Sequence, residues 1–421
     1  MSEQNNGISR RSVLKGAAVG GLGIAAGGSL LAGCGSKATG PLAYGARSVD
    51  AGPTAQNEAL IAAYTAKTGN EVKYNATESN AFQNNLSQYL QGTPDDTFEW
   101  MAGYRMQFFA EQGLLADLTG VWDAIGDQYS ESYKIASTGL DGKQYFVPKS
   151  WYPWGLHFRK SMFADLGLNA DNVTNWDEYL KMLDGMKKKG LVGFAAGDKG
   201  GWEAMGTFDI INARVNGYQF HVDLLAGREK WTDAKVVTAV NHFNTMLTWA
   251  NSDHKALDWT GAVAALAKGT CAMNVMGDWA YGELIVKQQK KDNIDFGYTV
   301  IGDPKTFVTV GDSFVIGAKS KNPAAGEAFA KAVMDPKVQI AFNKLKGSAP
   351  YRTDVSTASL GTYQRAAAKT LATGTLVASL VHGQQLVAAS VGQAFSDGVT
   401  VLQANKDAAA FGKAMNAATK G

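Results

Sequence analysis

The spacing of hydrophobic positions changes repeatedly between a helical and a strand period along most of the chain. Apolar residues three and four apart predict helices over 54–67, 80–90 and 104–112. Short apolar or alternating runs between them, at 71–75 and 95–100, predict strands. This alternation predicts an α/β fold with mostly parallel sheets flanked by helices.

The most distinctive predicted strand is the short, nearly all-apolar run Cys271–Met276. Such a run is typical of a strand buried on both faces, and Gly277 ends it before Asp278 and Trp279. The end of a buried strand is where α/β sheets bind ligands, and a carboxylate beside a flat apolar ring suits a sugar. The alternative is a tight turn with Trp279 in the core.

A second unusual stretch holds three large aromatic residues within four positions. Trp151, Tyr152 and Trp154 follow a predicted strand over 143–148 and are interrupted by Pro153. Pro does not suit a regular core element, so this pattern favours a functional loop or hinge over plain core packing.

Tryptophan is abundant in a chain that shows no cofactor motif. The chain has 10 Trp; one ends a predicted strand, at Trp100, and another ends a Gly-rich turn, at Trp202. We expect some of Trp100, Trp151, Trp202 and Trp279 to line a ligand-binding cleft, because indole rings stack on sugars and other flat apolar surfaces.

The first 33 residues have the pattern of an export signal. Arg10 and Arg11 precede an apolar, Gly- and Ala-rich run over 16–32. Paired arginines before such a run indicate the twin-arginine export route. The run is short and Gly-rich for a membrane span.

The signal ends in Leu31-Ala32-Gly33-Cys34, which resembles the lipobox of bacterial lipoproteins. That resemblance implies cleavage before Cys34, lipid (palmitate among its acyl chains) on its sulfur, and a tether over 34–45. The protein would then be anchored to the outer face of the cytoplasmic membrane. The alternative is an uncleaved anchor.

Removal of the signal changes the charge and cysteine arguments. The chain has 40 basic and 38 acidic residues, and residues 1–33 contain three of the basic and one of the acidic residues, which leaves a balanced mature chain. No basic block remains to predict nucleic-acid binding. With Cys34 acylated, Cys271 has no intramolecular partner for a disulfide. Stability must therefore come from burial of a hydrophobic core, and the chain is long enough for two domains.

Few catalytic patterns are present. The five histidines show no metal-ligand spacing, and no cofactor or metal is predicted. Gly311-Asp312-Ser313 resembles a block of one hydrolase family, but its place late in the chain favours coincidence. A glycosidase needs two carboxylates about 5 to 10 Å apart, and Glu99 with Asp278 is the pair that would have to meet; this alternative stays open.

Taken in order, a set of short motifs resembles the sugar-binding lipoproteins of bacterial ABC importers, most closely the glucose/mannose-binding type. The motifs are Glu58-Ala59-Leu60, Asp96-Thr97-Phe98 with Ala102-Gly103, Trp176-Asp177-Glu178-Tyr179, Asn274-Val275-Met276-Gly277-Asp278-Trp279-Ala280, Asp312-Ser313-Phe314, Leu345-Lys346-Gly347-Ser348 and Ser379-Leu380-Val381-His382-Gly383.

The resemblance implies a two-lobed periplasmic-binding-protein-like fold of type II with a hinge between the lobes. We expect an N-terminal lobe over 46–150 and 303–345, and a C-terminal lobe over 151–302 and 346–421. It also implies sugar contacts at Asp278, His382 and Lys346, with the first two on the same lobe.

The chain departs from the family in two places. Ser48-Val49-Asp50 stands where the glucose binders have aromatic residues, and Glu99 stands where they have Gln. Trp100, Trp151 and Tyr152 are additional aromatics, so the substrate-binding prediction includes all of Glu99, Trp100, Trp151, Tyr152, Trp202, Asp278, Trp279, Lys346 and His382. Glucose itself is therefore not assigned.

The resulting hypothesis is a monomeric, non-catalytic receptor that captures a neutral mono- or small oligosaccharide by hinge closure and delivers it to ABC permease subunits. The alternative is a surface-anchored glycosidase or lectin-like protein.

Overall fold

A computed structural model describes residues 40–101, 104–129, 131–170, 175–299, 306–352, 354–373, 375–377, 379 and 389–419. The predicted signal peptide and the lipidation residue Cys34 lie outside these ranges. So does the predicted sugar contact His382.

Ten strands are described. They are β1 Leu42–Ala46, β2 Val72–Ala76, β3 Thr97–Met101, β4 Phe146–Pro153, β5 Gly155–Arg159, β6 Val192–Phe194, β7 Cys271–Met276, β8 Phe296–Thr299, β9 Thr306–Val315 and β10 Thr375–Val377.

Helices separate and follow these strands. They are α1 Ala51–Thr68, α2 Ser79–Gln91, α3 Tyr104–Glu111, α4 Thr119–Ile125, α5 Glu131–Ser137, α6 Lys160–Asp165, α7 Trp176–Lys188, α8 Trp202–Asn216, α9 Tyr218–Leu225, α10 Ala234–Leu247, α11 Trp259–Lys268, α12 Trp279–Val286, α13 Pro323–Ala332, α14 Pro336–Lys346, α15 Thr362–Thr373, α16 Ala389–Asn405 and α17 Ala408–Ala418, with a 3-10 turn at Gly126–Gln128.

The strands form two separate sheets. The first has the order β10-β9-β3-β1-β2, with β4 also paired to β9, and the second has the order β6-β7-β5-β8. Each sheet has its own helices and its own hydrophobic core. The protein is therefore α/β and two-lobed, as the sequence predicts.

Both sheets are mixed, and the first has more parallel than antiparallel pairings. β1 pairs in parallel with β2 and β3, but β9 runs antiparallel to β3 and β4, and β5 runs antiparallel to β7 and β8. Helical crossovers make neighbouring strands parallel. β4 leads into β5 of the other sheet, and β9 follows β8 of the other sheet. Among the described elements, no helical crossover therefore connects β4 or β5 to the strand beside it, and these strands can pair antiparallel.

The segment predicted as a loop around Trp151 is a strand, so the loop prediction is wrong there. Trp151 lies opposite Gly311 and Tyr152 opposite Val310 in the β4–β9 pair, after a register shift between Pro148 and Ser150. The bulge accommodates the prolines, which a regular central strand does not. The chain then passes from the first sheet to the second at Trp154, which is fully buried.

The predicted tether over 34–45 also needs correction at its end. Leu42–Ala46 is the strand β1, which pairs with β2 on one side and β3 on the other. Tyr44 within it is fully buried. The next helix begins at Ala51 after Asp50, three residues before the predicted start at residue 54, because Pro53 is tolerated in a first helical turn.

The two lobes touch closely where α12 meets α1 and α14. A Cβ atom added at Gly282 would lie 2.7 Å from the carbonyl oxygen of Leu345. Only glycine permits this approach, which brings Lys346 at the end of α14 close to the start of α12. β10 pairs with β9 of the first sheet, although its residues were expected in the C-terminal lobe.

Candidate ligand-binding cleft

A cleft of about 1010 Å³ opens between the lobes, and both contribute side chains to it. Its volume is at the upper end of the range for small-molecule sites, about 300–1,000 Å³. We call the residues supplied by the first lobe the first wall: Arg47, Glu78, Glu99, Trp100, Phe108 and Asp312. Those supplied by the second lobe form the second wall: Lys199, Trp202, Glu203, Asp258, Trp259, Trp279, Gln393 and Ser396.

Tryptophan rings dominate the second wall. The ring centroids of Trp202 and Trp279 are 5.8 Å apart, and Trp154 lies edge-on to Trp279 at 5.2 Å. Trp154 is 1% exposed, whereas the two rings in the wall are half-buried. A Cβ at Gly206 would lie 2.3 Å from the Trp154 ring, so glycine makes room for the ring that supports the other two. The wall thus offers flat apolar surface on a fixed support.

The first wall is built around a buried ion pair. The ammonium of Lys149, 1% exposed, contacts the Glu99 carboxylate and donates to Asn57 Oδ1 at 2.6 Å. Tyr44 Oη donates to Glu99 Oε1 at 2.6 Å. Burial works to raise the pKa of Glu99, but the charge and hydrogen bond of Lys149 and the bond from Tyr44 outweigh it and lower the pKa. Glu99 is therefore ionised, and the buried side chains of Lys149 and Tyr44 hold its carboxylate in place.

A second charged cluster connects the lobes through Lys346. Its Nζ lies 3.0 Å from Asp312 Oδ2 on β9 and 3.5 Å from Asp278 Oδ1, just after β7. Arg47 pairs with the other oxygen of Asp312, and Ser150 Oγ donates to Asp312 Oδ2 at 3.2 Å. Since Asp312 belongs to the first lobe and Asp278 to the second, one ammonium bridges the two sheets at the base of the cleft.

Asp278 is an acid of this cluster whose pKa is strongly raised. It is fully buried, and burial raises its pKa to about 7. The Lys346 ammonium opposes this shift and the Asp312 carboxylate adds to it. Burial works to lower the pKa of Lys346, but the two carboxylates outweigh it and raise that pKa. The cluster therefore holds a cationic Lys346 at the cleft surface.

Glu203, in the second wall, has no comparable partner. It is 3% exposed, and neither carboxyl oxygen has a hydrogen-bond partner. Burial raises its pKa well above the usual value, and the nearby carboxylates of Asp198 and Asp258 add to the effect. The N–H groups of Glu203 itself and Trp259 favour the ionised form but do not offset burial. Burial therefore favours the neutral form of the Glu203 carboxyl group, in a residue that lines the cleft.

Comparison with known proteins agrees with this geometry. The family model described as bacterial extracellular solute-binding protein matches residues 50–340. The chain belongs to this family.

Relatives and solved structures of such solute-binding proteins resemble the chain over most of its length. A probable sugar-binding periplasmic protein of Brucella suis is 32% identical over 298 residues, 67% of this chain and 68% of the relative. An uncharacterized ABC transporter extracellular-binding protein of Pyrococcus horikoshii is 27% identical over 326 residues, 76% of this chain and 73% of the relative.

Among solved structures, the bacterial solute receptor AcbH matches with a TM-score of 0.84 and 28% identity, over 91% of this chain and 99% of that one. AcbH is described as having an exclusive preference for β-D-galactopyranose. A chitin oligosaccharide binding protein matches with a TM-score of 0.77 at 20% identity, over 90% of this chain and 99% of that one; at that identity the likeness shows the fold.

The structure brings together most of the residues that the sequence selects in this solute-binding protein. Glu99, Trp100, Trp202, Trp279 and Lys346 all line the cleft. Trp100, however, is only 4% exposed and packs edge-on to Phe109.

Three other selected residues are placed less directly. Asp278 does not line the cleft but lies beside Lys346, which does. Trp151 and Tyr152 lie on β4 one and two positions after Ser150. The remaining selected residue, His382, lies outside the described residues.

Sequence reasoning missed several cleft residues. Arg47 and Asp312 are 265 positions apart, so nothing local indicates their pairing. Trp259 follows Asp258, the cap of α11, whose carboxylate accepts from the Gly261 N–H at 2.9 Å. Glu203 carried a usable signal, because it is an acid in the first turn of an otherwise largely buried, apolar helix.

No helix of the described residues combines the length and apolarity that crossing a bilayer requires. Within the same residues, His, Cys, Asp and Glu side chains form no cluster suited to a metal ion.

Proposed function

We propose that the protein captures a neutral mono- or small oligosaccharide in the cleft, closes over it and delivers it to the membrane subunits of an ABC importer. The observation that carries this proposal is the cleft itself, with two adjacent, mutually tilted tryptophan rings on one wall and paired charges on the other. A ligand that contacts both walls stabilises the closed arrangement, because it gains contacts there that the open form lacks.

Relatives support sugar as the ligand class. Several are probable sugar-binding periplasmic proteins, and one is the xylose/arabinose-binding protein XacG of Haloferax volcanii, 26% identical over 65% of this chain and 60% of the relative. The glucose/mannose-type motifs and the galactose preference of AcbH make D-glucose, D-mannose and D-galactose the first sugars to test.

The proposal assigns the sugar contacts by wall. Trp202 and Trp279 stack on the ligand, while Lys346 donates to its hydroxyls. Asp278 acts with His382 on the second-lobe side, and the structure supports a part for Asp278 in holding Lys346. Glu99, Trp100, Trp151 and Tyr152 complete the proposed first-lobe side.

The proposed lobes are 46–150 with 303–345 and 151–302 with 346–421. β1 and the pairing of β10 extend the first of them by a strand each. We propose that the protein acts as a monomer and returns its ligand unchanged. Glu99 supports the non-catalytic role, since its carboxylate is engaged by Lys149 and Tyr44.

A thermal-shift screen over a sugar panel tests the function. The panel holds D-galactose, D-glucose, D-mannose, D-xylose, L-arabinose, maltose and raffinose. A ligand present at about 100 times its dissociation constant adds about 2.7 kcal/mol to the stability of the folded state, so the matching sugar raises the melting temperature. A panel without any stabilising sugar contradicts the proposal. Chromatography of the sugar after incubation separates receptor from glycosidase, because a glycosidase leaves products.

We further propose a lipid anchor on Cys34 after twin-arginine export, which places the protein on the outer face of the cytoplasmic membrane. The support is Arg10-Arg11 with the lipobox over 31–34. Cys34→Ala should release the exported protein from the membrane fraction, and full membrane retention of the cleaved variant contradicts the anchor.

A further inference from the structure

Glu203 is a buried polar group that the fold leaves unused. It lies in the first turn of α8, next to Trp202. The helix begins directly after Gly201, which has a left-handed backbone conformation. Glu203 lines the cleft at 3% exposure, and both of its carboxyl oxygens are buried without a hydrogen-bond partner. Buried polar groups nearly always have partners, and an orphan therefore calls for an explanation.

The packing around Glu203 holds it in place without satisfying it. A Cβ at Gly200 would lie 3.2 Å from Glu203 Oε2, and one at Gly197 would lie 2.2 Å from the Asp258 carbonyl oxygen. The Gly-rich turn is therefore packed tightly between the carboxyl group and the start of α11. The arrangement fixes the position of the carboxyl group but supplies no side-chain partner.

The charged groups near Glu203 come from two segments, the Gly-rich turn and the residue before α11. Asp198 in the Gly-rich turn and Asp258 before α11 are acidic and disfavour ionisation of Glu203. Lys199, also in the turn, is the cation that this wall contributes to the cleft lining. α16 presents the neutral side chains Gln393 and Ser396, and α12 presents Trp279.

We propose that Glu203 is a specificity-determining residue that donates a hydrogen bond from its neutral carboxyl group to a hydroxyl of the bound sugar. This inference rests on the proposed sugar-capture function and deepens it. A protonated carboxyl has one O–H donor and an acceptor oxygen, which matches a hydroxyl group held against the tryptophan wall. No proton is exchanged with the sugar.

The state of Glu203 gives the proposal a pH signature. The donor exists below the raised pKa of the free protein and is lost as pH rises through that pKa. Affinity should therefore be greatest in mildly acidic solution and fall at alkaline pH, by about tenfold for the loss of one buried hydrogen bond.

The test uses the sugar that the thermal-shift screen identifies, titrated calorimetrically from mildly acidic to alkaline pH. Wild type should show the fall in affinity. Glu203→Gln keeps a donor and an acceptor but does not titrate, so it should bind within about threefold of the acid-form wild type at acidic pH. As pH rises its affinity should fall less than that of wild type, and the remaining fall comes from Asp278 beside Lys346. Glu203→Ala should bind about tenfold more weakly at acidic pH.

Glu283→Gln is the matched control. Glu283 is also a fully buried carboxyl group whose pKa is raised by burial, although Lys287 Nζ lies 3.7 Å from its Oε1 and opposes that shift. It does not line the cleft. Its substitution should leave the pH profile of sugar affinity intact.

The outcomes separate the two claims. If no sugar of the panel binds wild type, the proposed function fails. If a sugar binds but Glu203→Gln weakens it as much as Glu203→Ala, the ligand needs a carboxylate, as a cationic amino sugar would, and the inference is overturned. It is also overturned by wild-type affinity that is independent of pH, or by undiminished binding to Glu203→Ala.

Discussion

Each wall of the cleft contains a buried carboxyl group, and the pKa of that group is shifted in opposite directions in the two walls. Glu99 in the first wall accepts from Tyr44 and pairs with Lys149, so its pKa is lowered despite burial. Glu203 in the second wall has no such partner, and burial raises its pKa. The first wall satisfies its charges internally, whereas the second leaves a polar group for the ligand.

The aromatic residues differ between the walls in the same sense. Trp100 of the first wall is 4% exposed and packs into the core of its lobe. Trp202 and Trp279 of the second wall are half-buried over the fully buried Trp154. The first wall also exposes the ring of Phe108, but the adjacent tryptophan rings lie in the second wall. We infer that the second wall carries the stacking contacts to the sugar.

The largest effect should come from breaking the first wall. Lys149→Met leaves the Glu99 carboxylate buried without its ammonium partner, and loss of one member of a buried ion pair costs about 3–5 kcal/mol. Urea unfolding should show a decrease of this size in the free energy of unfolding. The double variant Lys149→Met/Glu99→Gln is the control and should recover most of the loss. A decrease below about 1 kcal/mol for the single variant would show that the pair does not support the wall.

The second effect tests the bridge between the walls through its pH dependence. The folded-state pKa of Asp278 is about 7, against the ordinary value of 3.8. Between these values the folded state holds a proton that the unfolded state has released, so stability falls as pH rises through this window. The fall amounts to a few kcal/mol, since one pKa unit corresponds to about 1.4 kcal/mol.

Asp278→Asn should remove that contribution. Its free energy of unfolding, measured by urea at several pH values from about 4 to about 8, should fall less steeply than that of wild type. Asp177→Asn, at an exposed position on α7, serves as the control and should keep the wild-type slope. Parallel curves for wild type and Asp278→Asn would contradict the raised pKa.

The smallest of the three effects is on affinity and concerns the second wall. Trp202→Ala and Trp279→Ala each remove a ring worth about 0.5–1.5 kcal/mol beyond its burial, so each should weaken sugar binding about tenfold or more in calorimetry. Trp176→Phe, in the core of the second lobe, should leave the affinity unchanged. Wild-type affinity in both alanine variants would remove the second wall from the site.

Local patterns were enough to predict the part of the second wall that follows β7. Cys271–Met276 is the predicted buried strand, with all six residues buried. The break at Gly277 places Trp279 at the start of α12 and in the cleft. Such features depend on neighbours in sequence, so hydrophobic period and turn residues reveal them.

The first wall was predicted poorly because its interactions are not local. β1 is a five-residue strand whose sequence, Leu-Ala-Tyr-Gly-Ala, looks like a tether until β2 and β3 pair with it on both sides. Lys149 reaches Glu99 across 50 positions and Asn57 across 92. No periodicity within β4 indicates those partners.

We expect both walls to contact the same sugar molecule at once. A crystal structure of the protein with the sugar that the thermal-shift screen selects tests it most directly. We expect a sugar ring against Trp202 or Trp279. One of its hydroxyl groups should lie within hydrogen-bond distance of Glu203, about 2.5–3.2 Å, and another should lie within that distance of Lys346 or of a first-wall side chain. A sugar bound outside the cleft, or one that contacts a single wall only, would contradict it.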